Sequence, residues 1–191
     1  MNPDAEARHR RPRKPSPAER RQQRASVDDV AEVVDAAARF LEPRPRAIAE
    51  VRRRLSTAGY RPALVEAALE RLLALGYLDD AAFARTWVDS RDRAHPRGEL
   101  ALRRELRLKG IEPGLIEATL TERRERTPVE EGEVDDAAAE RLLRRQAQTL
   151  ARIADPRARR NRAYQVLARH GFDSGTASRV AARLFDPDRP E

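Results

Sequence analysis

The sequence predicts an all-α fold: an elongated tandem array of three three-helix repeats, preceded by a disordered basic N-terminal arm. Three observations carry this expectation. Helix formers dominate from Ser26 onward, apolar residues recur three and four apart, and β-branched runs are missing. An acidic pair recurs in "VDDVA" at 27–31, "LDDAA" at 78–82 and "VDDAA" at 134–138. Finally, Gly59, Gly110 and Gly171 each close a helix and precede an apolar residue: Tyr60, Ile111 or Phe172. Asp28 to Gly59 and Asp79 to Gly110 both span 31 residues, whereas Asp135 to Gly171 spans 36. The third unit therefore carries roughly one and a half extra helical turns or a longer loop.

The elements follow in order. Residues 1–25 hold seven Arg and one Lys against Asp4, Glu6 and Glu19, a net charge of +5 out of +7 for the whole chain. This arm is Pro-rich and nearly free of large apolar residues, so it cannot offset the entropy of ordering. It reads either as a solubilising extension or as an arm that touches DNA through Arg8, Arg10, Arg11, Arg13, Lys14, Arg20, Arg21 and Arg24. Repeat 1 covers 26–76, repeat 2 covers 77–127, and 128–186 holds a linker and repeat 3, with a tail at 187–191. In each repeat an aspartate caps the first helix and both carboxylates suit its dipole. Three short helices cannot bury their apolar faces alone, so the repeats are expected to stack.

Composition narrows the chemistry. The 191 residues include no Cys, which excludes disulfides and thiolate metal sites. No apolar run reaches membrane-spanning length, so a soluble cytoplasmic protein is expected. His9, His95 and His170 lack metal-ligand spacing, and no phosphate-binding glycine motif occurs. Asp79 and Asp80 read as helix caps. Glu130, Glu131, Glu133, Asp135 and Asp136 read as a solvated linker running into a cap. Phe83 and Trp87 read as core residues of repeat 2. Nothing forms a nucleophile, base or oxyanion hole, so a binding protein without a cofactor is expected rather than an enzyme.

A basic stripe recurs at the repeat length of 51. Leu102 and Leu106 mark the buried face of repeat 2's second helix; Arg97, Arg104 and Arg107 fall opposite, with Arg103 at the flank. In repeat 1, Val51 and Leu55 replace the leucines, while Arg46, Arg52 and Arg53 take the places of Arg97, Arg103 and Arg104. Repeat 3 breaks the pattern with Ala158, Tyr164, Gln165 and Ala168. Outward faces of soluble helices are commonly charged. Recurrence in register points instead to a shared contact with a polyanion or an acidic protein.

"YLDDAAFARTWVDSR" followed by "GELALRRELRLKGI" resembles the central motif of the RecX family of bacterial recombination regulators. The matching residues are Leu78, Asp79, Asp80, Phe83, Ala84, Trp87, Ser90, Arg91, Gly98, Leu102, Leu106, Lys109, Gly110 and Ile111. "RHGF" at 169–172 and "AEVRRRLSTAGY" at 49–60 are similar to the family's third and first repeats. The resemblance spans about 27–186 and implies tandem three-helix repeats. It also implies a partner: the RecA recombinase filament on single-stranded DNA, whose ATPase, strand exchange and co-protease activities such proteins restrain. On this reading Arg46, Arg52, Arg53, Arg97, Arg103, Arg104, Arg107 and Lys109 meet recombinase carboxylates or DNA phosphates. The protein is expected to be monomeric, and double-stranded DNA is a further candidate partner. Two departures stand out: the arm lies outside the shared region, and His170 replaces the family's usual arginine. Competing readings are a helical DNA-binding protein of another class and a generic helical interaction scaffold. The apolar or acidic third helices, "PALVEAALERLLAL" and "PGLIEATLTERRER", argue against base reading.

Stacked repeats should survive limited proteolysis as one core over residues 26–186, with the arm removed first. Recovery of repeat 2 alone as a cooperatively folded fragment would contradict stacking.

Overall fold

The computed structural model describes Arg13, residues 15–126 and residues 134–185; among these residues it contains helices and no strand. The chain forms two compact units. Unit 1 runs to Arg44 and includes Val51–Leu75; unit 2 holds Pro45–Glu50 and the chain from Gly76 onward.

Unit 1 contains α1 (Pro17–Ala25), α2 (Val30–Leu41), most of α3 (Ile48–Ala58) and α4 (Pro62–Ala74). Helix α1 corrects the expectation of a disordered arm through residue 25. Ser16 and Glu19 form a reciprocal capping box, and Pro17 sits where a missing N–H costs nothing. The Arg24 guanidinium also donates to the Ala58 carbonyl at 3.3 Å, tying α1 to the end of α3. The protease-resistant core should therefore begin ahead of Ser16 rather than at Ser26. Helix α2 packs on α4, and Val33, Ala37, Val51, Leu55, Val65, Leu69 and Leu72 are buried.

Unit 2 contains the first turn of α3, then α5 (Asp80–Ala94), α6 (Glu99–Lys109) and α7 (Pro113–Arg126). After these come α8 (Val134–Arg145), α9 (Ala147–Ala151), α10 (Pro156–Arg169) and α11 (Ser174–Phe185). The five-residue helix α9 accounts for the longer spacing in repeat 3. One core joins Ala47, Phe83, Val88, Leu102, Leu106, Ile111, Ile116 and Leu120. A second joins α8–α11 through Leu142, Leu143, Leu150, Val166, Leu167, Phe172 and Val180. Leu102 and Leu106 are fully buried, as their spacing predicts, each contributing roughly 1.5–3 kcal/mol.

The acidic landmarks divide into different roles. Asp79 caps α5 by accepting from Ala81 and Ala82 amides, while in repeat 1 the second aspartate, Asp29, caps α2. Asp28 pairs with Arg61 instead. Asp135 and Asp136 lie inside α8 and are buried, which corrects their reading as a solvated cap. Glu130, Glu131, Glu133 and the rest of 127–133 lie outside the described residues.

Gly110 closes α6 in the left-handed region, at φ 82°. A Cβ there would fall 2.4 Å from the Ala49 Cβ on the first turn of α3. Gly110→Ala combines left-handed strain with overpacking, so a loss of about 2–4 kcal/mol is expected in urea denaturation.

Candidate functional site

Much of the arginine content fastens helices together. Arg103 grips Glu117 of α7 with Nε and Nη2 at 2.8 and 2.9 Å, and also bonds Glu99. One repeat earlier, Arg52 grips Glu66 of α4 at the same two distances. Each arginine holds a second helix to its third, and the partner glutamate recurs at the same 51-residue offset. That pairing was readable in the sequence, because Glu66 and Glu117 lie in register. The arginine hydrogen bonds hold both carboxyls below the usual glutamate range. Both glutamates are largely exposed, so solvent keeps the contribution of these pairs small.

Lys109 is engaged as well. Its Nζ donates to Glu50 at 3.0 Å and lies 4.7 Å from the Trp87 ring centroid. Arg91 covers the same ring at 4.3 Å, and Glu105 accepts from Trp87 Nε1 at 2.8 Å and Arg91 Nε at 2.7 Å. Trp87 also stacks on buried Phe83 at 5.9 Å. The tryptophan is thus a half-buried polar knot rather than a simple core residue. Arg97 precedes the helix, ahead of its N-cap Gly98, and its Nε is buried 3.5 Å from Glu105. Arg46 occupies the equivalent place before α3, half-buried with a buried Nε.

Arg53 on α3 and Arg104 and Arg107 on α6 behave differently. All three are exposed, and none pairs with a carboxylate among the described residues. Leu100 and Leu108 share the outer side of α6 with Arg104, four residues apart in each direction, and are 56% and 71% exposed. The sequence reading passed over these two leucines. Their signal was an apolar i, i+8 pair opposite Leu102 and Leu106. In the arm, Arg8, Arg10, Arg11 and Lys14 lie outside the described residues; Arg13 is exposed, and Arg20, Arg21 and Arg24 lie on α1.

Sequence reasoning also missed a buried charge cluster. Arg123 on α7 is 2% exposed. It grips Asp92 through Nε and Nη2, both at 2.9 Å, and donates from Nη1 to Asp135 at 2.7 Å. Asp135 also accepts the Glu99 amide at 2.8 Å, so it caps α6 from α8. Asp80 does the same for α3, accepting the Ile48 amide at 2.9 Å. Burial pushes the Asp135 carboxyl above the usual aspartate range, against the pull of Arg123. Burial also disfavours charge on Arg123, but its bonds to Asp92 and Asp135 outweigh that and hold it fully protonated. The sequence signal was Arg123 in line with Ile116, Thr119 and Leu120 on the buried side of α7.

Among the described residues, no group of three or more His, Asp or Glu side chains could hold a metal ion. No described helix is long and apolar enough to cross a membrane. The repeats and their capping exchange define a tandem three-helix-repeat protein. Family models describing the first, second and third three-helix domains of RecX match residues 34–72, 79–120 and 133–181. The chain is 38% identical over 146 residues to the regulatory protein RecX of Deinococcus radiodurans, covering 75% of this chain and 65% of that protein. To that of Lactobacillus delbrueckii subsp. bulgaricus it is 35% identical, covering 81% and 54%. To that of Prosthecochloris aestuarii it is 32% identical, covering 84% and 98%. The chain thus spans less than two thirds of the first two relatives and nearly all of the third. Two crystal structures share the fold. RecX from Lactobacillus salivarius matches with a TM-score of 0.69 at 19% identity, over 82% of this chain and 97% of that one. A second regulatory protein RecX gives 0.64 at 21%, over 86% and 72%. The chain belongs to the RecX family of regulatory proteins.

Arg123→Leu should cost about 3–5 kcal/mol, because it strands Asp135 in the interior without its cation. Without the guanidinium, folded Asp135 holds a proton that the unfolded chain releases. Stability of the variant should therefore rise relative to wild type as pH falls from 7 toward 4, as read by urea denaturation across that range.

Proposed function

We propose that this chain regulates the RecA recombinase by binding the RecA–single-stranded DNA filament and inhibiting its ATPase, strand exchange and co-protease activities. It acts as a cytoplasmic monomer without a cofactor. Family membership supports the partner. The outer side of α6 supports the mode of contact, and it is the observation that carries this reading: unpaired Arg104 and Arg107 stand beside exposed Leu100 and Leu108. Apolar anchors flanked by cations suit an acidic protein surface with apolar depressions, since desolvated aliphatic groups supply affinity and the charges supply orientation. Arg53 on α3 repeats the cationic part of the pattern. Arg52, Arg103 and Lys109, which the sequence places beside these residues, serve the fold instead. Arg46 and Arg97 remain in the proposed contact only at its half-buried edge.

Arg104→Glu with Arg107→Glu should abolish most inhibition of RecA ATPase on single-stranded DNA. The helical signal and melting behaviour should match wild type, because neither side chain makes an ion pair among the described residues. Leu100→Ser with Leu108→Ser should weaken inhibition without changing its salt dependence. Normal inhibition by both folded variants would remove the outer side of α6 from the contact.

A further inference from the structure

We infer that α1 converts the flank of repeat 1 into a binding cleft for single-stranded nucleic acid. Two adjoining depressions in unit 1 share Arg24, Arg54 and Ala58. Arg39, Phe40 and Tyr60 line one, and Arg20 and Arg21 line the other. No Asp or Glu lines either depression. Glu19, the carboxylate on α1, is turned to the Ser16 capping box. Among the described residues, none of these five arginines forms an ion pair. That sets them apart from Arg52, Arg61, Arg103 and Arg123, each of which is bound to a carboxylate.

The wall formed by α1 is fitted to its place. A Cβ on Gly59 would fall 2.5 Å from Arg21 Cγ, so only glycine admits α1 at this distance. Arg24 is anchored at Ala58, which leaves Arg20 and Arg21 presented along the cleft. The rings add a second feature. Arg54 Cζ lies 5.6 Å from the Phe40 centroid and Arg24 Cζ lies 6.0 Å from that of Tyr60. Unpaired guanidinium groups along a groove with aromatic rings in it are the combination that takes a flexible strand: cations meet phosphates, while rings and guanidinium planes stack with bases. An acidic peptide would meet the charges but has no use for the rings. Helix α1 lies outside the matched segment 34–72, so one wall of the cleft comes from outside the repeat and the other, with Arg39, Phe40, Arg54 and Tyr60, from within it. The inference does not depend on which protein the outer side of α6 contacts.

The test uses the full chain and fluorescein-labelled oligothymidylate, with no recombinase present. Anisotropy should show Arg39→Ala with Arg54→Ala binding at least tenfold more weakly at low salt. The log–log salt slope should fall by about 1.4, since each lost phosphate contact removes about 0.7. Arg104→Ala with Arg107→Ala should leave affinity and slope unchanged. An unchanged slope in the cleft variant, or an equal loss in the α6 variant, overturns the assignment. Displacement by poly-L-glutamate as efficient as by unlabelled oligothymidylate also overturns it, in favour of an acidic peptide. On wild-type protein, phenylglyoxal labelling provides a readout independent of variant folding. Oligothymidylate should protect Arg39 and Arg54, and absence of protection overturns the proposal. Recombinase inhibition by the α6 variant is scored separately, so the two readings can fail independently.

Discussion

The second helices of repeats 1 and 2 each start on a carboxylate supplied by the following repeat. Asp80 accepts the Ile48 amide at the head of α3, and Asp135 accepts the Glu99 amide at the head of α6. A helix N-terminus exposes amides that lack partners within the helix. Here those amides become the fastening between successive repeats. The neighbouring aspartate at 79 serves its own helix, so two adjacent carboxylates divide local and cross-repeat capping. The exchange also works at the other end: Arg145 donates to the Ala94 and Arg93 carbonyls that end α5.

Burial makes the second of these caps demanding. Asp135 can remain charged in the interior only with Arg123 beside it, and Arg123 needs Asp92 to satisfy its remaining donors. The cluster therefore ties α5, α6, α7 and α8 into one arrangement. Close backbone approach reinforces it. Gly98 donates to the His170 carbonyl at 3.1 Å, and a Cβ on Gly98 would collide with the Gly171 backbone. Glycine at both positions lets two turns meet where any side chain would separate them.

These attachments sort the charge of the chain. Arg52, Arg103, Arg123, Arg179 and Lys109 are committed to internal carboxylates, so their positive charge is largely neutralised within the fold. Among the charges left over, two groups stand out, on surfaces of unlike chemistry. The outer side of α6 combines cations with aliphatic side chains, whereas the α1 cleft combines cations with aromatic rings. The first suits a protein surface and the second suits a nucleic-acid strand.

The sequence by itself determined the helical class, the three repeats, the buried pairs Val51/Leu55 and Leu102/Leu106 and the closing glycines, because each rests on local periodicity or on one residue's backbone freedom. It determined the family for the same reason: the motif of repeat 2 is contiguous along the chain. It did not determine which arginines are available. Arg103 and Arg104 are adjacent and identical in chemistry, yet Arg103 faces Glu117 and Arg104 faces solvent. Helix α1 was hidden because its composition lacks a core of its own, and its position is fixed by contacts with Ala58 and Gly59 more than thirty residues away. Burial of Asp135 was likewise hidden, since a carboxylate in a polar segment reads as solvated until Arg123, from another helix, arrives to neutralise it. Local propensity and spacing specify the elements; the partner of each charge depends on which helices pack together, and only the tertiary structure decides that.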